Sequence, residues 1–224
     1  LWRILSNVLA QVALNAVKFN GGKPIITYQH SGKNKYNSML EEAQAIYLAL
    51  HDWGIAYQNP PAGGIFTQRV RMPEEVLKDK KGTCLDLAIL YCACLEEVGF
   101  NSIIVLIDGH AFAGFFLEDK VTFPNAIEFQ CGKVYNSATG GMNQIVLVEC
   151  TTFTASYRVS FNEAVQDGIK HLKMYDGNTF AAIDINFAHQ GIFSPIPTSG
   201  NDQELNLQIE PKEIENKVLE PIVE

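Results

Sequence analysis

The sequence predicts an α+β fold, with helical patterns first and strands gathered in the second half of the chain. Three observations carry that expectation. Apolar residues recur at helical spacing before Gly21-Gly22 and again from Ser38 to His51. The run Gly82-Thr83-Cys84-Leu85-Asp86-Leu87-Ala88 reads as a loop feeding a central helix. Two apolar, partly β-branched stretches flank Asp108-Gly109-His110, as strands joined by a hairpin turn would.

Taken in order, the first helix is expected over 2–18, where Leu5, Val8, Leu9, Val12 and Val17 recur and Gly21-Gly22 stops the run. A second helix fits 38–51. The stretch 57–64, Tyr-Gln-Asn-Pro-Pro-Ala-Gly-Gly, is rich in breakers and reads as a surface loop. Pro73 opens a short helical turn, closed by the charged run 78–81 and Gly82. The central helix spans 83–98, with Leu87, Leu90, Tyr91, Cys94, Leu95 and Val98 on a wide apolar face and Gly99 as its stop. Strands follow over 102–107, 111–117 and 145–150, then a helix over 161–174 and a last strand over 181–185.

Hydrophobic residues make up 47% and aromatics 10% of the 224 residues, so the chain can bury one sizeable core and is not disordered throughout. The formal charge of −8 argues against a general affinity for nucleic acid. Much of it sits at the end. Residues 199–224 hold seven acids against Lys212 and Lys217 and no aromatic residue, which predicts an acidic linker or flexible tail after a domain over 1–198. No apolar run reaches membrane-spanning length, so no membrane partner is expected. Leu1 in place of a methionine reads as an excised or processed piece, covalently linked to further domains in its parent.

The five cysteines, Cys84, Cys92, Cys94, Cys131 and Cys150, lack a repeated Cys-x-x-Cys spacing. Reduced thiols in a cytoplasmic setting follow, with Cys92 and Cys94 packing in an apolar helix rather than binding metal. No metal or other cofactor is expected.

Cys84 stands out because Thr83 and Asp86 form an S/T-x-x-acid cap, which puts the thiol where unpaired N–H groups and the helix dipole favour a thiolate. The bland alternative is a cysteine that only packs. Glu149 ends the run Ile145-Val146-Leu147-Val148, where a buried carboxylate needs a cationic partner, unless it marks the strand's end and faces water. His110, followed by Ala111, Ala113 and Gly114, sits at the edge of another apolar strand. Two polar intrusions into neighbouring strands are most simply explained by their meeting. His51 and His171 lie in amphipathic helical stretches without such a setting.

Cys84 as nucleophile, His110 as acid and base and Glu149 as the orienter of the imidazole would make an acyl-transfer site. The Cys84 backbone N–H is the first expected oxyanion donor and the Gln68 amide a second, unless Gln68 is only a surface residue. Tyr57, Arg71, Asp108 and Trp53 are further candidates by proximity in the chain.

At these positions the sequence resembles the transglutaminase-like superfamily. Gly82-x-Cys84-x-x-x-Ala88, Gly109-His110-Ala111-Phe112 and Glu149-Cys150-Thr151 are similar to its three boxes around the catalytic cysteine, histidine and aspartate. Phe112 stands for the usual tryptophan and Glu149 for the usual aspartate. The resemblance implies a papain-like core, with the nucleophile's helix packed on an antiparallel sheet bearing His110 and Glu149. It also implies a cysteine peptidase or amidase acting on a protein or peptide substrate through an acyl-thioester. The runs MPEEVL, GTCLDLAILYCACLEEVGF and GHAFAG resemble a bacterial branch found as one module of large multidomain proteins. Two alternatives stay open: a protein-crosslinking acyltransferase and a non-catalytic scaffold module. No EF-hand-like loop is present, so calcium dependence is not expected.

Overall fold

The computed structural model describes residues 7–60, 69–139, 144–157 and 159–191. Helices α1 (Asn7–Phe19) and α2 (Lys35–Trp53) pack on each other, and both contact the central helix α4 (Cys84–Glu97). Leu9, Val12 and Ala16 of α1, with Ala43, Ile46 and Leu50 of α2, are fully buried at i, i+3, i+4 and i+7 spacings that put each set on one face. Helix α3 (Pro73–Asp79) begins at a proline, whose missing N–H costs nothing in the first turn. It ends at Lys80, which takes a left-handed φ of 51°, two residues before the glycine expected to close it. Strand β1 (Ala56–Tyr57) then pairs in parallel with β2 (Lys81–Gly82), setting Tyr57 opposite Gly82.

The main sheet is antiparallel throughout, with five strands in the order β5 (Ile127–Glu128), β7 (Ala181–Asp184), β3 (Ser102–Ile107), β4 (His110–Phe116) and β6 (Ile145–Val148). Strands β3 (Ser102–Ile107) and β4 (His110–Phe116) form a hairpin closed by Asp108-Gly109, with Ile107 paired to His110. Gly109 carries φ +71°, a left-handed value glycine adopts without a Cβ penalty. Strand β6 (Ile145–Val148) flanks β4, with Ala113 opposite Val148. On the other side lie β7 (Ala181–Asp184) and the short β5 (Ile127–Glu128).

Alternation along the strands gives the sheet two buried faces. Ala111, Ala113, Phe115, Val146 and Val148 share a core with α4. Phe112, Phe116 and Leu147 share the other with Val134 of α5 (Cys131–Thr139) and Leu172 of α6 (Phe161–Lys173). Helices thus pack on an antiparallel sheet, and the fold class is α+β. Helix α7 (Ile185–Gly191) follows β7 directly.

The elements that periodicity left unpredicted are those too short or too polar to carry it. Strands β1, β2 and β5 have two residues each, and α5 buries only Val134. The third expected strand also stops early: β6 ends at Val148, and Glu149 is the N-cap of a 3-10 turn, Cys150–Phe153. The expected tail, 199–224, lies outside the described residues. No described helix is long and apolar enough to cross a membrane.

Close approach between β4 and β6 depends on Gly114, where a Cβ would come within 2.6 Å of the Val146 carbonyl oxygen. Gly114→Ala is expected to destabilise the fold by about 1–3 kcal/mol, because backbone rather than a side-chain tip must give way. Urea denaturation checks it, an unchanged midpoint being the contrary result.

Candidate active site

The site begins with the cap of α4. Thr83 is extended, the Asp86 N–H donates to Thr83 Oγ1 at 3.4 Å, and the Thr83 N–H donates to Asp86 Oδ2 at 3.0 Å. The Asp86 carboxylate is completely buried and also accepts from the Arg71 N–H at 2.8 Å and from its guanidinium at 3.1 Å. Arg71 therefore braces the cap, holding Cys84 at the first position of the helix. The Cys84 sulfur is buried beside backbone N–H groups of Leu85 and Ala111, the His110 ring and the Tyr57 hydroxyl.

Strand register brings the histidine and the carboxylate together. Extending the pairing of Ala113 with Val148 puts Glu149 beside Phe112, on the same face of the sheet as His110 and diagonal to it. His110 Nε2 donates to Glu149 Oε2 at 2.6 Å, leaving Nδ1 for Cys84. The second Glu149 oxygen accepts from the Thr151 N–H at 2.9 Å and from its hydroxyl at 2.7 Å. With 3% of its surface exposed, Glu149 does not face water; its charge is compensated as a buried carboxylate requires.

Electrostatics follow from those contacts. Burial alone would push the Cys84 thiol up, but hydrogen bonds with His110 and the Ala111 N–H bring it below the ordinary thiol value. Burial likewise opposes charge on His110, yet its bonds to Cys84 and Glu149 push it up to about 10. Glu149 is buried too, and its bonds to His110 and His171 hold it far below the usual carboxylate range. These shifts all run in the direction that favours a thiolate–imidazolium pair beside a charged carboxylate. The other four thiols, Cys92, Cys94, Cys131 and Cys150, are all pushed up by burial.

His171 is the residue that sequence reasoning set aside. From α6 its Nε2 lies 2.9 Å from Glu149 Oε2, and its ring centre lies 4.8 Å from that of His110 and 5.5 Å from that of Phe112. A signal existed in Ala164, Gly168 and His171, which share one helix face. A Cβ on Gly168 would meet the Leu147 backbone at 3.0 Å, so α6 lies close on β6 and carries His171 over Glu149, two residues beyond Leu147. Small residues on that face announce a close neighbour without saying which.

Of the remaining candidates, Tyr57 reaches Cys84, while Asp108 sits in the hairpin turn and accepts from the Asn178 N–H at 3.1 Å. Trp53 is structural, its indole N–H donating to the Leu77 carbonyl at 3.0 Å. Gln68 lies outside the described residues. A cleft of about 680 Å³, lined among others by Asp108, His110, Glu149, Thr151, Tyr157 and His171, opens on the imidazole side of the site.

His110, Glu149 and His171 present nitrogen and oxygen atoms within 4.8 Å of one another, a donor set of the kind that holds zinc. The spacing here is that of hydrogen bonds, at 2.6 and 2.9 Å, and a cation would need His110 neutral against its preference for the proton.

The fold thus sets a cysteine at a capped helix start beside an imidazole at the start of a sheet strand and a carboxylate at the end of its neighbour. A family model described as a transglutaminase-like domain matches residues 10–120, and the chain belongs to the transglutaminase-like superfamily, which includes cysteine hydrolases and acyltransferases. The matched stretch contains Cys84 and His110; Glu149 and His171 lie beyond it. No curated protein and no solved structure matches the chain.

Proposed function

We propose that the protein is a cysteine-dependent hydrolase that cleaves amide bonds of a protein or peptide through an acyl-thioester. The observation that carries this reading is the hydrogen-bonded line from Cys84 through His110 to Glu149, with Cys84 the one thiol of five drawn below its ordinary value. The Cys84 thiolate adds to the carbonyl carbon, and the oxyanion takes hydrogen bonds from the Cys84 N–H and from Tyr57 or Gln68. His110 passes its Nδ1 proton to the departing nitrogen as the C–N bond breaks. Water then gives a proton to His110 and adds to the thioester carbonyl, and cleavage of the C–S bond restores thiolate and imidazolium. Glu149 holds the ring with Nε2 protonated throughout and balances its charge.

The test is a set of peptide and side-chain amides, acid-quenched and followed by intact mass in H₂¹⁸O. An acyl adduct on Cys84 and a labelled carboxylic acid product are expected. The absence of both removes the hydrolase reading, and capture of a labelled primary amine in preference to water replaces it with a crosslinking acyltransferase.

A further inference from the structure

We propose that His171 is a positioning residue of this site, clamping the Glu149 carboxylate onto His110 and shielding their hydrogen bond from the water of the cleft. The inference deepens the hydrolase reading and rests on it for its effect on turnover. One carboxylate oxygen, Oε2, serves both imidazoles, at 2.6 Å to His110 and 2.9 Å to His171. The other is occupied by Thr151. Both oxygens of Glu149 are thereby engaged, and the carboxylate cannot turn away from His110 without also leaving His171 and Thr151.

Burial and ring packing shield the pair. The His171 side chain is 38% exposed and that of Glu149 is 5% exposed, while both line the same cleft. His171 lies near-parallel to Phe112, at 29° between ring planes, and Phe112 lies at 28° to His110. Phe112 thus fixes both rings from the sheet side while α6 supplies the second imidazole from above. A glutamate's extra methylene gives the carboxylate the reach to meet a helix-borne partner as well as its sheet neighbour. Without His171, the open side of Oε2 would be taken by cleft water, and the His110 Nε2 proton would exchange with it.

The experiment reads that proton. In the intact chain with ¹⁵N-labelled histidine, a low-field Nε2–H resonance of His110, protected from solvent, is expected by NMR. His171→Ala should speed its exchange by at least about tenfold and lower kcat for amide cleavage by about tenfold with KM little changed. His171→Gln, which can offer an amide N–H near the same place, should restore most of both. Absence of a protected resonance in the unsubstituted protein, an Ala variant with unchanged exchange, or a Gln variant no better than Ala would each overturn the proposal. A His171-dependent resonance without any acyl adduct on Cys84 sinks the hydrolase reading instead.

Discussion

Cys84→Ala is expected to eliminate amide cleavage, with a loss of at least about three orders of magnitude, while leaving the folded state in place. The nucleophile has no substitute nearby. Cys92, Cys94 and Cys150 are buried, and burial raises all three thiols, so none can take over the attack. The cap that starts α4 uses Thr83, Asp86 and Arg71, none of which needs the sulfur. Loss of one small side chain at the helix start therefore removes the chemistry without removing the scaffold. Limited alkylation with iodoacetamide near neutral pH, read by peptide mass, gives the companion result. Cys84 should label first in the unsubstituted protein, and its reactivity should set in at lower pH than that of a free cysteine, since its thiol lies below the ordinary range. Equal, slow labelling of all five thiols would contradict the site's electrostatics.

The second large effect is at Glu149. Glu149→Ala should reduce turnover by about two to four orders of magnitude, because His110 loses the acceptor that fixes its tautomer and balances its charge. It should also change how stability depends on pH. Glu149 is held below its ordinary value of 4.5, so its contribution is present above that pH and is lost as pH falls further. His110 is raised from 6.5 to about 10, so its contribution is whole below 6.5 and drains away as pH rises toward 10. The two overlap most fully between about 4.5 and 6.5. Removing the carboxylate should flatten both flanks of the profile, which urea denaturation at a series of pH values measures. A variant with the same pH profile as the parent would mean that the carboxylate is not paired in solution.

Local signals in the chain were reliable where interactions are local. The reciprocal cap at Thr83 and Asp86, the length of the central helix to within a residue or two, and the hairpin at Asp108-Gly109 all depend on contacts a few residues apart. Glu149 was the harder case. Its apolar run suggested that a strand would carry it, whereas β6 stops at Val148 because the Glu149 side chain turns back to accept from the Thr151 N–H and start a 3-10 turn. His171 is hard to read for a different reason: an amphipathic helix looks the same whether its polar edge faces water or a buried carboxylate.

Read by itself, the amino-acid sequence determined the α+β class, the transglutaminase-like resemblance and the capped cysteine, since periodicity, capping and short motifs act over one or two helical turns. The meeting of His110 and Glu149 is expected from two polar residues at the ends of apolar runs, but only the tertiary structure decided the register that brings them together, that Tyr57 reaches Cys84, and that α6 lays His171 beside the same carboxylate oxygen. Those outcomes depend on strand register and on how closely a helix can approach a sheet. Both are set by pairings between residues tens of positions apart, which no local pattern records.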